Sequence, residues 1–248
     1  MSGAFDESYF VGGTRSNYRD YAAVESSIDI GFMPVVQRYA DAVKRTRERP
    51  SSLDVGCAYG FYVERLAAAG FDAHGVDVSD YAVERARSRG VVNVQVANAG
   101  VLPFPDASFD FVTCIDVIEH VPPEQSAAVA AEIHRVLRPA GVAFMATPNV
   151  LTNPYWNVYL REFVDLDETH VNYQSVESLR SLLAAFARVD VYGDTPFVDQ
   201  FHAFDTSGAF TSPLFRVFPL RHIARHAAWK LLGRSVEWSS YLHAVAVR

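Results

Sequence analysis

Cysteine is nearly absent from this chain of 248 residues: the two present, Cys57 and Cys114, are too few for a disulfide framework and fall in no metal-ligand spacing. Both lie inside apolar runs, so they are expected to be small core residues of a protein kept in a reducing, cytoplasmic compartment. Uninterrupted apolar runs of bilayer-crossing length are also lacking, and the start MSGAFDESYF has neither the basic residues nor the apolar stretch of a signal peptide. A soluble intracellular protein is the expectation. Positive charge is in deficit too, with 22 Lys and Arg against 29 Asp and Glu and a net charge of −7. That balance gives no overall basic footprint, and a nucleic-acid partner is not expected. What is present is apolar content of 50%, enough over this length to bury one substantial core, so a single domain is expected across 1–248.

The first fifty residues carry Phe5, Tyr9, Phe10, Tyr18 and Tyr21 around a Gly12-Gly13 turn, then a helical pattern from about Ser26 to Arg49. They suggest an N-terminal cap (1–50). From Ser51 the texture changes to short apolar runs, Leu53 to Val55, Ala73 to Val76, Val91 to Val96, Phe109 to Ile115 and Val142 to Ala146, separated by helical patterns. In Pro122 to Leu137, for example, Val129, Ile133, Val136 and Leu137 recur at helical spacing, with Pro139 and Gly141 as the stop. Strands alternating with helices predict an α/β, Rossmann-like doubly wound sheet, mostly parallel and seven-stranded, with a cofactor-binding core over 51–147. Beyond it come an insertion at 148–173, a helix opened by Ser175, a strand at Val189 to Tyr192, a second insertion at 197–236 and a last strand at Ser240 to Val247.

In such a sheet a ligand sits beyond the carboxyl ends of the strands, beside the first one. There the chain reads Leu53-Asp54-Val55-Gly56-Cys57-Ala58-Tyr59-Gly60-Phe61. Gly56 permits a sharp turn and close approach of a ligand, and Gly60 opens the next helix. The second strand ends Gly75-Val76-Asp77-Val78-Ser79, which sets a carboxylate where a ribose diol could donate two hydrogen bonds. Asp77 could instead serve the following helix N-terminus, although Ser79 is available as that cap. A pyrophosphate loop needs G-x-G-x-x-G, but position 58 is Ala58, and Asp54 adds an anion that suits an ammonium or sulfonium better than a diphosphate.

The pattern Asp54-x-Gly56-x-x-x-Gly60 followed by Asp77 resembles the class I S-adenosylmethionine-dependent methyltransferases. The likeness continues through Val96-Ala97-Asn98-Ala99, Leu102-Pro103-Phe104-Pro105-Asp106, Ser108 to Val112, Ile115 to Val121 and Arg135 to Gly141, which resemble the small-molecule, ubiquinone-biosynthesis-like branch. The resemblance implies S-adenosyl-L-methionine as cofactor, held by Asp54, Gly56, Cys57, Ala58, Gly60, Asp77, Val78, Asn98, Ala99 and Asp116, with Tyr9 and Tyr18 closing over it. Asn98 departs from the family's commoner aspartate, yet its amide can bond an adenine edge.

The implied reaction is methyl transfer to a small molecule, with oxygen the first choice of acceptor atom, then nitrogen or carbon. It requires no metal, and none is expected; a base would help remove an acceptor proton, for which His120 and His170 are the candidates. Each could instead be a packing or surface residue, and Glu119 is expected to do no more than cap the next helix. The stretch 212–234, basic and aromatic without an acid, fits a substrate lid in preference to a peripheral contact with anionic lipid or a homodimer contact. An NAD-dependent oxidoreductase on the same fold and an inactive S-adenosylmethionine-binding module are the alternatives.

Overall fold

The computed structural model describes residues 2–12, 16, 18, 20–29, 31–149, 169–193 and 241–248. Most of both insertions, including all of 197–236 with the basic stretch 212–234, lies outside the described residues. The strands are β1 (Ser51–Val55), β2 (Asp72–Asp77), β3 (Val94–Val96), β4 (Phe109–Ile115), β5 (Leu137–Pro148), β6 (Arg188–Gly193) and β7 (Tyr241–Val247). They form one seven-stranded sheet in the order β3-β2-β1-β4-β5-β7-β6. Pairing is parallel from β3 to β5, whereas β7 runs antiparallel to both β5 and β6. The expected mostly parallel, doubly wound sheet is what forms.

The helices are α1 (Glu7–Phe10), α2 (Glu25–Ile28), α3 (Met33–Lys44), α4 (Phe61–Ala68), α5 (Asp80–Ser88), α6 (Pro123–Val136) and α7 (Val176–Leu182). Alternation along β4 splits its side chains between two buried clusters: Phe111 and Ile115 join Val36, Ala40, Phe61, Leu66 and Val83 from α3 to α5, while Val112 and Cys114 join Val129, Ile133 and Leu179 from α6 and α7. Burial on both faces explains why these strands read as continuous apolar runs. Both cysteines are free and buried, as their apolar settings suggested.

Three boundaries differ from the sequence pattern. The expected helix from Ser26 to Arg49 is broken, since α2 ends at Ile28 and α3 begins at Met33 with Pro34 in its first turn, the one place where a proline costs no intrahelical hydrogen bond. Helix α6 stops at Val136, so Leu137 already pairs with Phe109 and β5 is far longer than its apolar centre, Val142 to Ala146. Strand β3 shrinks to three residues, because Val91 is buried beneath the sheet edge and Val92 turns out to solvent.

Asp110, in the middle of a matched motif, is a structural latch at the far end of the sheet from the glycine turn. Its buried carboxylate accepts from Ser51 N at 2.9 Å and Arg138 Nη1 at 2.6 Å, with Arg47 Nε at 3.0 Å. The N-terminal region is tied over the opposite end: Asp29 pairs with Arg65 of α4, and Glu25 with Arg89 just beyond α5. These exposed pairs are worth about 0–1 kcal/mol each, so the cap is held chiefly by its buried Tyr9, Phe10 and Ile28. Among the described residues no helix is long and apolar enough to cross a membrane.

Candidate active site

The bend after β1 is built around Gly56. Its φ of +77° is left-handed, and a Cβ placed there would lie 2.2 Å from Val117 Cγ2, so only glycine fits. The amides of Gly56 and Cys57 both donate to Val76 O, at 2.8 and 2.9 Å, which folds the turn against the end of β2. Gly60, also left-handed at φ +79°, precedes α4. Ala58 carries a positive φ of 43°, a strain its small side chain tolerates, and its amide then meets Asp77.

Asp77 stands at the carboxyl end of β2, 9% exposed, and both its oxygens accept from the backbone: Oδ2 from Ala58 N at 2.8 Å and Oδ1 from Ser79 N at 2.9 Å. Ser79, not Asp77, caps α5, accepting from Ala82 N at 3.1 Å. A carboxylate has about four acceptor positions, so two remain for a diol. Burial raises the Asp77 pKa, with the backbone amides of Ser79, Ala58 and Val78 pulling the other way.

Asp54, 2% exposed inside β1, accepts from Thr113 Oγ1 at 2.7 Å. Burial pushes its carboxyl up to about 7 despite that hydrogen bond, and the charge of Asp77 adds to the rise. Asp116, at the end of β4 with φ +53°, is pushed to about 6 by burial, while His170 pulls it back. Burial, with the charges of Asp116, Asp77 and Asp54, also lifts the Tyr21 phenol well above its usual range, which sets this ring from the N-terminal cap among the three acids. Tyr62 of α4 feels Asp116 and Asp54 in the same way. Neither Asp54 nor Asp77 is paired with an arginine, lysine or histidine among the described residues. A group of buried acids without a basic partner, beside a side-chain-free bend, fits a cationic nucleoside and not a pyrophosphate.

The lowered acidity of Asp54 has a measurable consequence. A carboxyl whose folded pKa is raised contributes its full stability only below the unfolded value of about 4, and loses it as the pH climbs toward about 7. A bound cation favours the ionised form, so adenosylmethionine should displace up to about one proton from Asp54 near pH 6, fading above pH ~8. Around this group Asp77, Tyr21, Tyr62, Cys57 and Cys114 also titrate, all of them neutral or anionic. Calorimetry in buffers of unlike ionisation enthalpy reads the proton count, and Asp54→Asn should reduce it; equal counts for the two proteins would remove Asp54 from this role.

Beyond Asp116, the turn after β4 is clamped to the segment leading into α7. The Glu119 carbonyl accepts from Val171 N at 2.9 Å and Asn172 N at 3.0 Å, and Asn172 Nδ2 donates to Val121 O and Ser126 Oγ at 3.0 and 2.7 Å. This clamp brings the His120 and His170 rings to 4.7 Å, centroid to centroid. His120 Nδ1 lies 2.8 Å from Thr169 Oγ1, and Phe5 and Tyr9 meet its ring edge-on. The two histidines, independent candidates by sequence, are therefore one unit. Glu119 does not cap α6, whose first turn has no side-chain cap; it is fully buried and accepts from Thr147 Oγ1 at 3.0 Å. The turn's 3-10 geometry points it inward.

Of the remaining sequence candidates, Cys57 is buried behind the bend, and Asn98 Oδ1 accepts from Gly100 N at 2.8 Å in the exposed loop after β3, next to Ala99. Val78 links Asp77 to the Ser79 cap. Tyr9 packs on Phe5, Phe10, Tyr18 and His120, and Tyr18 on Tyr21, the ring whose phenol feels the acids. Tyr21 and Tyr62 carried no motif signal, and Glu119 only that of a helix cap, because their roles depend on where other segments lie.

The family described as "Methyltransferase domain" matches residues 53–145, the span that holds the glycine bend, Asp77 and the β4 turn. A ubiquinone biosynthesis O-methyltransferase of Methylococcus capsulatus is 38% identical over 104 residues, covering 40% of this chain and 43% of that protein. A probable S-adenosylmethionine-dependent methyltransferase of Mycobacterium tuberculosis is 35% identical over 141 residues, 56% of this chain and 48% of its own length. The chain thus spans under half of these curated relatives. Among solved structures, a Pyrococcus horikoshii protein superposes with a TM-score of 0.58 at 25% identity, over 77% of this chain and 95% of that one. An Archaeoglobus fulgidus SAM-dependent methyltransferase, 16% identical with a TM-score of 0.57 over 87% and 94% of the two chains, shares the fold.

Proposed function

We propose that this chain, whose residues 53–145 match a methyltransferase domain, works as a class I S-adenosylmethionine-dependent methyltransferase and methylates a hydroxyl oxygen of a small molecule. The observation that carries the reading is the set of buried acids, Asp54, Asp77 and Asp116, gathered around the Gly56 bend without an arginine or lysine partner among the described residues. Bound adenosylmethionine supplies a sulfonium methyl carbon: the acceptor oxygen's lone pair makes the new C–O bond, the C–S pair stays on sulfur as a thioether, and the acceptor's proton is released.

The chain's own residues divide the work. Asp77 accepts the ribose hydroxyls, the Gly56 bend admits the amino-acid end, and Asp54 offsets positive charge behind it. Tyr21 and the aromatic cap keep water out, which strengthens every charge interaction inside. The cluster of Asp116, Glu119, His120 and His170 faces the acceptor side, where the proton must be handled. Oxygen is favoured over nitrogen and carbon because this cluster can take up a hydroxyl proton, and the O-methyltransferase name of a relative supports the choice. A net charge of −7 speaks for a small acceptor and against a nucleic acid.

Incubation of the purified chain with methyl-labelled adenosylmethionine and metabolite extract of its host, followed by mass spectrometry, tests this. The expected outcome is a labelled methyl ether together with S-adenosylhomocysteine. A labelled amine or carbon product would exclude the oxygen assignment, and no turnover of the cofactor with any fraction would exclude methyl transfer.

A further inference from the structure

Glu119 and His120 arrive from the β4 turn and His170 from beyond β5, yet one carboxylate oxygen and one imidazole nitrogen of each ring all lie within 4.8 Å of one another. We propose that Glu119, His120 and His170 bind a single divalent transition-metal cation on the acceptor side of the cofactor cleft.

Four observations bear on it. The first is an unanswered ligand atom: Glu119 is fully buried, its Oε2 is fixed by Thr147, and its Oε1 has no hydrogen-bond partner. An unsatisfied buried carboxylate oxygen is destabilising, and a cation at that spot would offset the cost. Second, Asp116 Oδ1 is likewise buried and without a hydrogen bond, and its carboxyl adjoins that of Glu119. Third, each imidazole has a hydroxyl at Nδ1, Thr169 at 2.8 Å for His120 and Tyr173 at 3.4 Å for His170. Such partners orient the rings of metal-bound histidines, with Nε2 as the ligand. Fourth, the spacing is within reach: tetrahedral ligands at about 2.1 Å from an ion stand roughly 3.4 Å apart, so side-chain adjustments of up to about 1.4 Å complete the site.

Two nitrogens and a carboxylate oxygen suit Zn2+, Co2+ or Fe2+, whereas Mg2+ and Ca2+ favour oxygen ligands throughout. Three protein ligands leave a coordination position open toward the cleft. A hydroxyl occupying it would be acidified, its proton passing to solvent, so the histidines would act as ligands in place of a base. That role rests on the methyl-transfer reading above; the metal site itself does not.

Chelator-treated protein titrated with ZnCl2 by calorimetry is expected to bind one Zn2+ per chain at micromolar affinity or tighter. Glu119→Gln and His170→Ala should each weaken this by at least about 100-fold. S-adenosylhomocysteine titration and a melting curve on the same variants report the fold, and both should stay near the parent values for His170→Ala, whose side chain is half-buried. Zn2+ binding without adenosylhomocysteine binding would uphold the metal site while sinking the methyltransferase reading. Absence of stoichiometric Zn2+ in the parent protein, or unchanged Zn2+ affinity in both variants, overturns the proposal and leaves the histidines as a metal-free proton relay.

Discussion

Replacing Asp77 with alanine is expected to weaken S-adenosylhomocysteine binding by about 100-fold or more, because two charge-assisted hydrogen bonds of about 1.5–3 kcal/mol each are lost at a site shielded from water. The same change leaves Ala58 N and Ser79 N without their acceptors, so the ligand-free protein should also melt a few degrees lower. Asp77→Asn separates the two effects. The amide keeps one oxygen for a backbone donor and sheds the charge, so melting should recover more fully than affinity. An Asp77→Ala protein that binds S-adenosylhomocysteine as tightly as its parent would dismantle the cofactor site, since no other acid ends β2.

Gly56→Ala should be still more damaging. The new methyl carbon would have to share space with Val117 Cγ2 at 2.2 Å, and an L-residue is held at φ +77°. Left-handed backbone costs about 1–2 kcal/mol and overpacking about 1–3 kcal/mol more, a total of roughly 2–5 kcal/mol. Relief requires Val117 to move, and Val117 precedes the turn that carries Glu119 and His120. One methyl group thus disturbs both halves of the cleft. Chemical denaturation should show the stability loss, and S-adenosylhomocysteine binding should fall below detection. A double variant, Gly56→Ala with Val117→Ala, should regain part of the stability but not that due to φ. Unaltered stability in the single variant would mean that the bend relaxes freely, against the geometry seen here.

The central part of the chain was legible because its signals are local. A glycine that must adopt positive φ, an acid at the end of a strand and apolar runs of strand length all act within a few residues, and Asp54, Gly56, Gly60 and Asp77 came together as their spacing implied. Boundaries were less legible where tertiary pairing outweighed local pattern. Leu137 looks like the last residue of a helix by periodicity, yet hydrogen bonding to β4 draws it into β5. Tyr9 and Tyr18 were the closing pair that the resemblance implied, and the tertiary structure adds Tyr21, whose ring stacks on Phe61 of α4 and whose phenol feels the three acids.

The sequence by itself determined the sheet, the glycine bend and the acid that ends β2, since each depends on backbone sterics or hydrophobic period within one βαβ unit. Only the tertiary structure decided that Glu119 turns inward and that His170 comes back to lie against His120. That juxtaposition follows from hydrogen bonds between the Glu119 carbonyl and the amides of Val171 and Asn172, across an intervening helix and strand. A contact between segments so far apart in the chain leaves no periodicity or motif to read, because its energy is realised only when both have already been folded into place.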